Sequence, residues 1–372
     1  MSKVGIITYH AAYNYGSVLQ AFATQEAIAK NDMESEIINY RFEEQRNIYA
    51  MYRIHCGFKK FAKDVLLLPI HFKRINRKNK FEKFIRERLK ISKELAEPEE
   101  ALEHLEKYDI LISGSDQIWN KHSLELENVD WKYMYPYLFH GAKKKKISYA
   151  SSIANMKDSE LDSIKEDVKQ FQFLSVRESS DIQKMEALSE KNVTWVVDPT
   201  FLLTKDEWIK RLNLKEVNTE PYILFYSLSV GYSELDGILK KLKRYANNRK
   251  LKVKIINPYI YVKNDELIEL VADCGPQEFL EYIYNATLII TDSYHGTALS
   301  INLEKEFFSI CGEGKSENRK RDLLAAVGLQ ERSIARMDLI KENYDRIDYE
   351  KVRNKLEIRR QDSFNYLQHA LG

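Results

Sequence analysis

The chain has 372 residues, with 58 Lys and Arg against 56 Asp and Glu for a formal net charge of +2, and 44% of its residues are hydrophobic. That supply of apolar side chains excludes a mainly disordered chain, and the length suits two domains of roughly 150 residues with some excess. The longest apolar run, Val65-Leu66-Leu67-Leu68-Pro69-Ile70, falls well short of the roughly 18 residues of a membrane span. Cys56, Cys274 and Cys311 are too far apart for a CxxC metal pair or a disulfide framework.

The N-terminus, MSKVGIITYH, enters a strand pattern without the basic and long apolar regions of a signal peptide, so a cytoplasmic protein is expected. The run Val4 to Tyr9 predicts a strand that is apolar on both faces, as a covered parallel sheet requires. Its loop, Thr8-Tyr9-His10-Ala11-Ala12-Tyr13-Asn14-Tyr15-Gly16-Ser17, has Asn and Gly for a tight turn. A helix over 17–28, carrying Gln20, would present its first amides to an anion or a hydroxyl. An ordinary turn with His10 on the surface reads equally well. A second strand is predicted at 37–40.

The next stretch breaks the charge balance. Residues 53–90 hold thirteen basic and three acidic side chains, a net of +10, which leaves −8 for the rest of the chain. Phe58, Phe61 and Val65, then Phe81, Phe84 and Ile85, recur at helical spacing. Two readings stay open: a solvated helix pair covering one domain, or a cationic amphipathic segment lying on an anionic membrane surface. No recognised nucleic-acid module accompanies it, and no nucleic-acid partner is expected.

Further strands are predicted at 109–113, 146–150, 173–176 and 193–197, with helices at 158–170 and 179–189. After the first of these comes Ser113-Gly114-Ser115-Asp116-Gln117-Ile118-Trp119-Asn120. Its polar side chains suit a sugar, with Trp119 as a stacking face; a helix cap at Ser115 or Asp116 with Trp119 in the core is the alternative. Arg177 ends the 173–176 strand and pairs with either an anion or its neighbour Glu178. A polar stretch near 204–220 then precedes a second series, with strands at 222–228, 251–256, 288–291 and 307–310, a helix near 276–285 and polar helices over 348–370. The segment Ile289 to Ala298 brings His295, able to exchange protons near neutrality, to the start of a helix after a buried strand. Gly312 to Arg321 reads as a basic turn into a helix, with Lys320 and Arg321 equally well placed in solvent.

Alternating strands and helices predict an α/β chain of two Rossmann-like domains, with mainly parallel sheets facing a central cleft. The expected boundaries are 1–205, with a basic helical insertion at about 52–92, then 218–335 and a helical tail over 336–372. GxGxxG, Walker, HExxH and GxSxG signatures are absent, which disfavours nicotinamide, P-loop and zinc chemistry.

Taken together, NYGSVLQAFA, LISGSDQIWN, ISYASS, LSVRES, VVDPTFLL and ITDSYHGTALS resemble, in order and spacing, the polysaccharide pyruvyl transferase family over about residues 4–330. The resemblance implies a GT-B-like fold and transfer of pyruvate from phosphoenolpyruvate onto two hydroxyls of a sugar in a cell-surface glycan precursor, without cofactor or metal. It implies His295 as general acid and base, and Arg177 for the donor's phosphate or carboxylate. Gly296, Thr297, Asn318 and Arg319 would complete the donor site, where Ser293 stands in place of an arginine found in some members. His10, Asn14, Gly16, Gln20, Ser115, Asp116, Gln117 and Trp119 would face a glycan or lipid-linked oligosaccharide acceptor, at the inner face of the membrane if the basic segment lies there. The substitution at Ser293 keeps a nucleotide-sugar glycosyltransferase open as the alternative, and a non-catalytic glycan-binding relative beside it.

Overall fold

Runs that are apolar on both faces become the inner strands of two parallel sheets in the computed structural model, which describes residues 2–123, 138–217, 220–314, 317–337, 340 and 343–372. The chain divides into two α/β units. In the first, β1 (Lys3–Ile7), β2 (Glu34–Ile37), β3 (Ile110–Ser113) and β4 (Lys145–Ser148) form a parallel sheet in the order β2-β1-β3-β4. The parallel pair β5 (Leu174–Val176) and β6 (Val193–Trp195) continues it through a bridge between Ile147 and Phe173. The strand order reverses between β1 and β3.

The second unit holds β7 (Tyr222–Tyr226), β8 (Lys252–Ile256), β9 (Ile268–Leu270), β10 (Leu288–Thr291), β11 (Phe307–Ile310) and β12 (Ser333–Ile334). They pair in parallel in the order β12-β11-β10-β7-β8-β9, the doubly wound arrangement with its reversal between β7 and β10. In open sheets of this kind ligands sit outside the carboxyl ends of the strands flanking the reversal.

Each unit is built from separated stretches of chain. The first comprises 1–50, 85–203 and 356–372; the second comprises 51–84 and 204–355. This differs from the boundaries expected from sequence. Most of the basic segment packs with the second sheet rather than as an insertion of the first domain, because Leu67 and Ile70 enter that sheet's apolar core. Lys80 pairs with Glu278 at 2.9 Å, and Asn76 reaches Asp273 at 3.3 Å. The end of the chain is likewise no detached tail. Arg360 Nε donates to Phe201 O at 2.7 Å, Tyr366 Oη donates to Ser148 O at 2.7 Å, and Ser363 Oγ accepts the Val197 amide at 2.9 Å, all within the first unit.

Two short strands, β9 and β12, escape sequence reading because three and two residues are too few for a strand period to be recognised. The helix expected over 158–170 is broken into Asp158–Leu161, a 3-10 turn at Asp162–Ile164, and Lys165–Lys169.

Candidate functional site

At the β1–β3 reversal the loop from Thr8 to Ser17 meets the one from Gly114 to Gln117. Asn14 caps the helix Tyr15–Ala29, its Oδ1 accepting the Gly16 amide at 2.9 Å. The fully buried Gln20 donates to Thr8 Oγ1 (2.7 Å) and Ser17 O (2.9 Å) and accepts the Ser115 amide (3.2 Å). Its amide is thus consumed in joining the two loops. Gly114 has a φ of +129°, and a Cβ there would lie 2.1 Å from the Tyr149 carbonyl oxygen, so no other residue fits. This close approach turns the chain so that Asp116 Oδ2 accepts from Ser17 Oγ and Oδ1 from the Gln117 amide, each at 2.9 Å.

Arg177 is held from three sides. Its Nε donates to Glu178 Oε1 at 2.8 Å, while Nη1 lies 3.2 Å from Asp198 Oδ2 and 3.6 Å from Asp116 Oδ1. Asp198 in turn accepts from the amide and hydroxyl of Thr200, and Trp195 Nε1 donates to the Arg177 carbonyl at 3.1 Å. Charge balance explains this geometry: a guanidinium with a 1% exposed side chain is matched by carboxylates on adjoining strand ends.

Several expectations for this unit are corrected. Arg177 is buried among carboxylates rather than offered to a donor. Trp119 is 1% exposed and packs edge-on to Phe171 at 5.1 Å, in the core and not as a stacking face. His10 is buried between Thr8 O (3.2 Å) and Asn39 Oδ1 (2.8 Å), and the Ser115 hydroxyl is spent on Ala150 O at 2.9 Å. The Gly16 amide is spent on Asn14. Of the side chains at this reversal, Tyr13, Asn14, Asp116 and Gln117 keep partial exposure. Tyr13 was missed from sequence; its ring stands edge-on to Tyr49 at 5.8 Å, and the signal was an aromatic in a turn just before a capping Asn.

At the β7–β10 reversal Asp292 gathers the loop after β7. Its Oδ2 accepts from Ser227 Oγ (2.6 Å), Ser229 Oγ (2.5 Å) and the Ser229 amide (3.1 Å), and its Oδ1 accepts the Leu228 amide (2.8 Å). Ser293 caps the helix Tyr294–Asn302: its hydroxyl accepts the Gly296 amide at 3.3 Å, and its carbonyl accepts both the amide and the hydroxyl of Thr297 at 3.0 Å. The Gly296 and Thr297 amides are therefore used within the first turn and do not form the anion cradle expected of them. A Cβ at Gly296 would come within 2.4 Å of Thr291 Oγ1, so glycine here lets the helix lie against the strands. His295, 6% exposed, sits in that first turn with its ring edge-on to Tyr294 at 5.3 Å.

Burial pushes the Tyr226 phenol well above its ordinary range; the neighbouring Ser293 side chain and the positive charge of Arg77 act against this, while Asp292 adds to it. Arg77 belongs to the basic segment, which the sequence places on a solvated face or a membrane surface rather than at the donor site. Half-buried, its guanidinium stands 4.7 Å from the Phe81 ring centre. Its charge thus acts on Tyr226 from a distant part of the chain.

The basic turn is not solvated either. Lys320 is 3% exposed, and its ammonium donates to the carbonyls of Asp292 and Ile310 and pairs with Glu317 at 2.6 Å. Arg321 donates to the Cys311 and Gly312 carbonyls and to Asn318 Oδ1. Asn318 is exposed and Arg319 half-buried, while Lys315 and Ser316 lie outside the described residues.

A family model of polysaccharide pyruvyl transferases matches residues 14–310, which takes in the β7–β10 reversal and, in the first unit, the chain from Asn14 onward, with β1 lying before it. The chain belongs to that family. Polysaccharide pyruvyl transferases are transferases, and the segments carrying Asp116, Arg177 and His295 lie inside the match. No curated protein matches the chain in sequence. Among solved structures it is similar to the UDP-GlcNAc 2-epimerase of Neisseria meningitidis bound to UDP-GlcNAc, at 9% identity and a TM-score of 0.54 over 98% of this chain and 94% of that one. The UDP-N-acetylglucosamine 2-epimerase of Rickettsia bellii aligns at 11% identity and a TM-score of 0.51, over 99% and 98% of the two chains. At such identities the likeness speaks for the fold alone, which is of the GT-B type.

Proposed function

We propose that this pyruvyl transferase takes its pyruvate from phosphoenolpyruvate and places it on two hydroxyls of a glycan precursor as a cyclic ketal. The family match carries the reading. In the reaction one acceptor oxygen bonds to C2 of the donor while C3 takes up a proton and becomes the methyl group. The bond from C2 to the phosphate oxygen breaks, and the second hydroxyl oxygen closes on C2. Of the two hydroxyl protons lost, one is balanced at C3 and the other leaves with phosphate or to solvent.

His295 is the proposed general acid and base, since an imidazole both gives and takes a proton near neutrality. Arg77 and Arg319 are proposed to balance the donor's negative charge, with Arg77 supplying the cation that Ser293 lacks. In the first unit Asn14, Asp116 and Gln117 are proposed to hydrogen-bond the diol, with Tyr13 as the ring face. Arg177 then acts through Asp116 as a positioning residue. A lipid-linked acceptor is proposed, reached by a peripheral protein at the inner membrane face; among the described residues no helix is long and apolar enough to cross a membrane. Ser293 favours one second reading, a glycosyltransferase taking a nucleotide sugar.

The test is phosphate release from phosphoenolpyruvate in the presence of diol-presenting glycosides. The wild type releases phosphate with at least one acceptor, and His295→Asn lowers the rate by about 10²–10⁴-fold without moving the unfolding midpoint. No release with any acceptor, together with thermal stabilisation by a nucleotide sugar alone, would overturn the proposal in favour of the second reading.

A further inference from the structure

The stretch 54–73 of the second unit has two faces. Asp64, Leu67 and Ile70, three residues apart, turn inward: Leu67 and Ile70 join the apolar core, and Asp64, whose side chain is 1% exposed, accepts a bidentate pair from Arg53 at 2.8 and 3.0 Å. Arg74 is held inward as well, by the Met51 carbonyl at 2.7 Å and by Asp64 at 3.7 Å. Facing solvent are Phe58 and Phe72, both 82% exposed, Ile54 at 65%, and Leu66 and Leu68 at 53%. Six of the eleven large hydrophobic side chains left exposed among the described residues, Val65 included, fall within these twenty positions. Lys59, Lys63 and Lys73 are exposed among them, and the stretch's one acid is the buried Asp64.

We infer that this face docks on an anionic lipid leaflet, with Phe58, Leu66, Leu68 and Phe72 entering the interface and Lys59, Lys63 and Lys73 meeting the headgroups. Exposed aromatic and aliphatic side chains on short helices, flanked by lysines and free of exposed carboxylates, match the chemistry of an anionic bilayer surface. A second copy of the chain fits poorly, because a symmetric pairing of this face would oppose lysine to lysine. The inference stands apart from the donor chemistry: it concerns where the enzyme works, and Arg74 and Arg77, which sequence alone places in the same cationic stretch, are not part of the lipid-facing set.

Sedimentation of the full chain with vesicles tests it, using phosphatidylcholine alone and an equimolar mixture with phosphatidylglycerol, with no donor or acceptor present. The wild type is expected on the anionic vesicles, to be released by salt, and to stay off the neutral ones. The pair Phe58→Ser with Phe72→Ser, and separately the triple Lys59→Glu, Lys63→Glu and Lys73→Glu, should each lower partitioning by about tenfold or more. Melting midpoints, and phosphate release from phosphoenolpyruvate with a soluble acceptor, should be unchanged. Absence of wild-type binding to anionic vesicles, variants that bind as the wild type does, or a patch variant that splits a dimer without altering vesicle binding would each overturn the inference. Because the vesicle assay contains no substrate, its failure leaves pyruvyl transfer untouched, and failure of phosphate release leaves the docking surface untouched.

Discussion

Replacing Arg177 with methionine keeps most of the side chain's volume and removes its charge. Three carboxylates surround the guanidinium, with side-chain exposures of 4% for Glu178, 0% for Asp198 and 15% for Asp116. At about 4 Å and an effective dielectric near 20, one such attraction is worth about 4 kcal/mol. The cost of burying the charges and the mutual repulsion of the carboxylates cancel much of the total. Removing the one cation leaves that repulsion unopposed in a buried setting, and a loss of about 3–5 kcal/mol of stability is expected. Arg177→Lys should fall between the two, since it restores charge without the planar fork that serves Glu178 and Asp198 together. Urea unfolding provides the measurement, and Trp195, whose indole N–H donates to the Arg177 carbonyl, is a local fluorescence reporter. If Arg177→Met instead unfolds with the wild type and raises the KM for phosphoenolpyruvate manyfold, Arg177 is a donor ligand and the positioning argument fails.

Two further outcomes follow from the geometry. Gly114→Ala forces a Cβ to 2.1 Å from the Tyr149 carbonyl oxygen at a φ of +129°; a stability loss of about 3 kcal/mol or more, or failure to accumulate as folded protein, is expected by thermal melting. Asp265 accepts from Lys243 and from the amides of Leu267 and Ile268, interactions that hold its carboxyl down to about 2 from an ordinary 3.8. A carboxylate depressed in the folded state stabilises above pH 3.8 and loses that contribution as pH falls to about 2. The wild type should therefore lose stability across this window more steeply than Asp265→Asn, as read from urea midpoints at stepped pH.

The strands were the most legible part of the sequence. Leu288–Thr291 and Phe307–Ile310 coincide with their predicted bounds, because a strand covered on both faces must be apolar throughout. The same held for the helix Pro276–Asn285, which has proline in its first turn. The site was legible as segments but not as side chains. Gln20, His10 and Arg177 looked available because their local partners Ser17, Thr8 and Glu178 use only part of their hydrogen-bonding capacity, while Ser115, Asn39 and Asp198, which take up more of it, stand 95, 29 and 21 residues away. The amides of Gly296 and Thr297 failed for the opposite reason: their partner is the adjacent Ser293, whose capping role takes the donors that a phosphate would need. Lys320 was misread because a basic run gives no hint that one of its lysines reaches the carbonyls at two strand ends. Arg77 and the fate of 51–84 depended on tertiary packing, since nothing in a run of lysines and phenylalanines says which of two sheets will cover it.

The way each unit borrows chain from elsewhere bears on the protein's birth at the ribosome. The first unit lacks 356–372 until the second unit's 204–355 has been made, so Tyr366, Ser363 and Arg360 reach Ser148, Val197 and Phe201 only once that stretch has emerged. The second unit receives its first contribution, 51–84, long before the 204–355 stretch that encloses it. Leu67 and Ile70 must then wait uncovered while more than a hundred residues emerge. The first unit is therefore completed only after the second unit's segments have been made, and a nascent chain stalled before 356–372 would present an open first unit to chaperones and proteases.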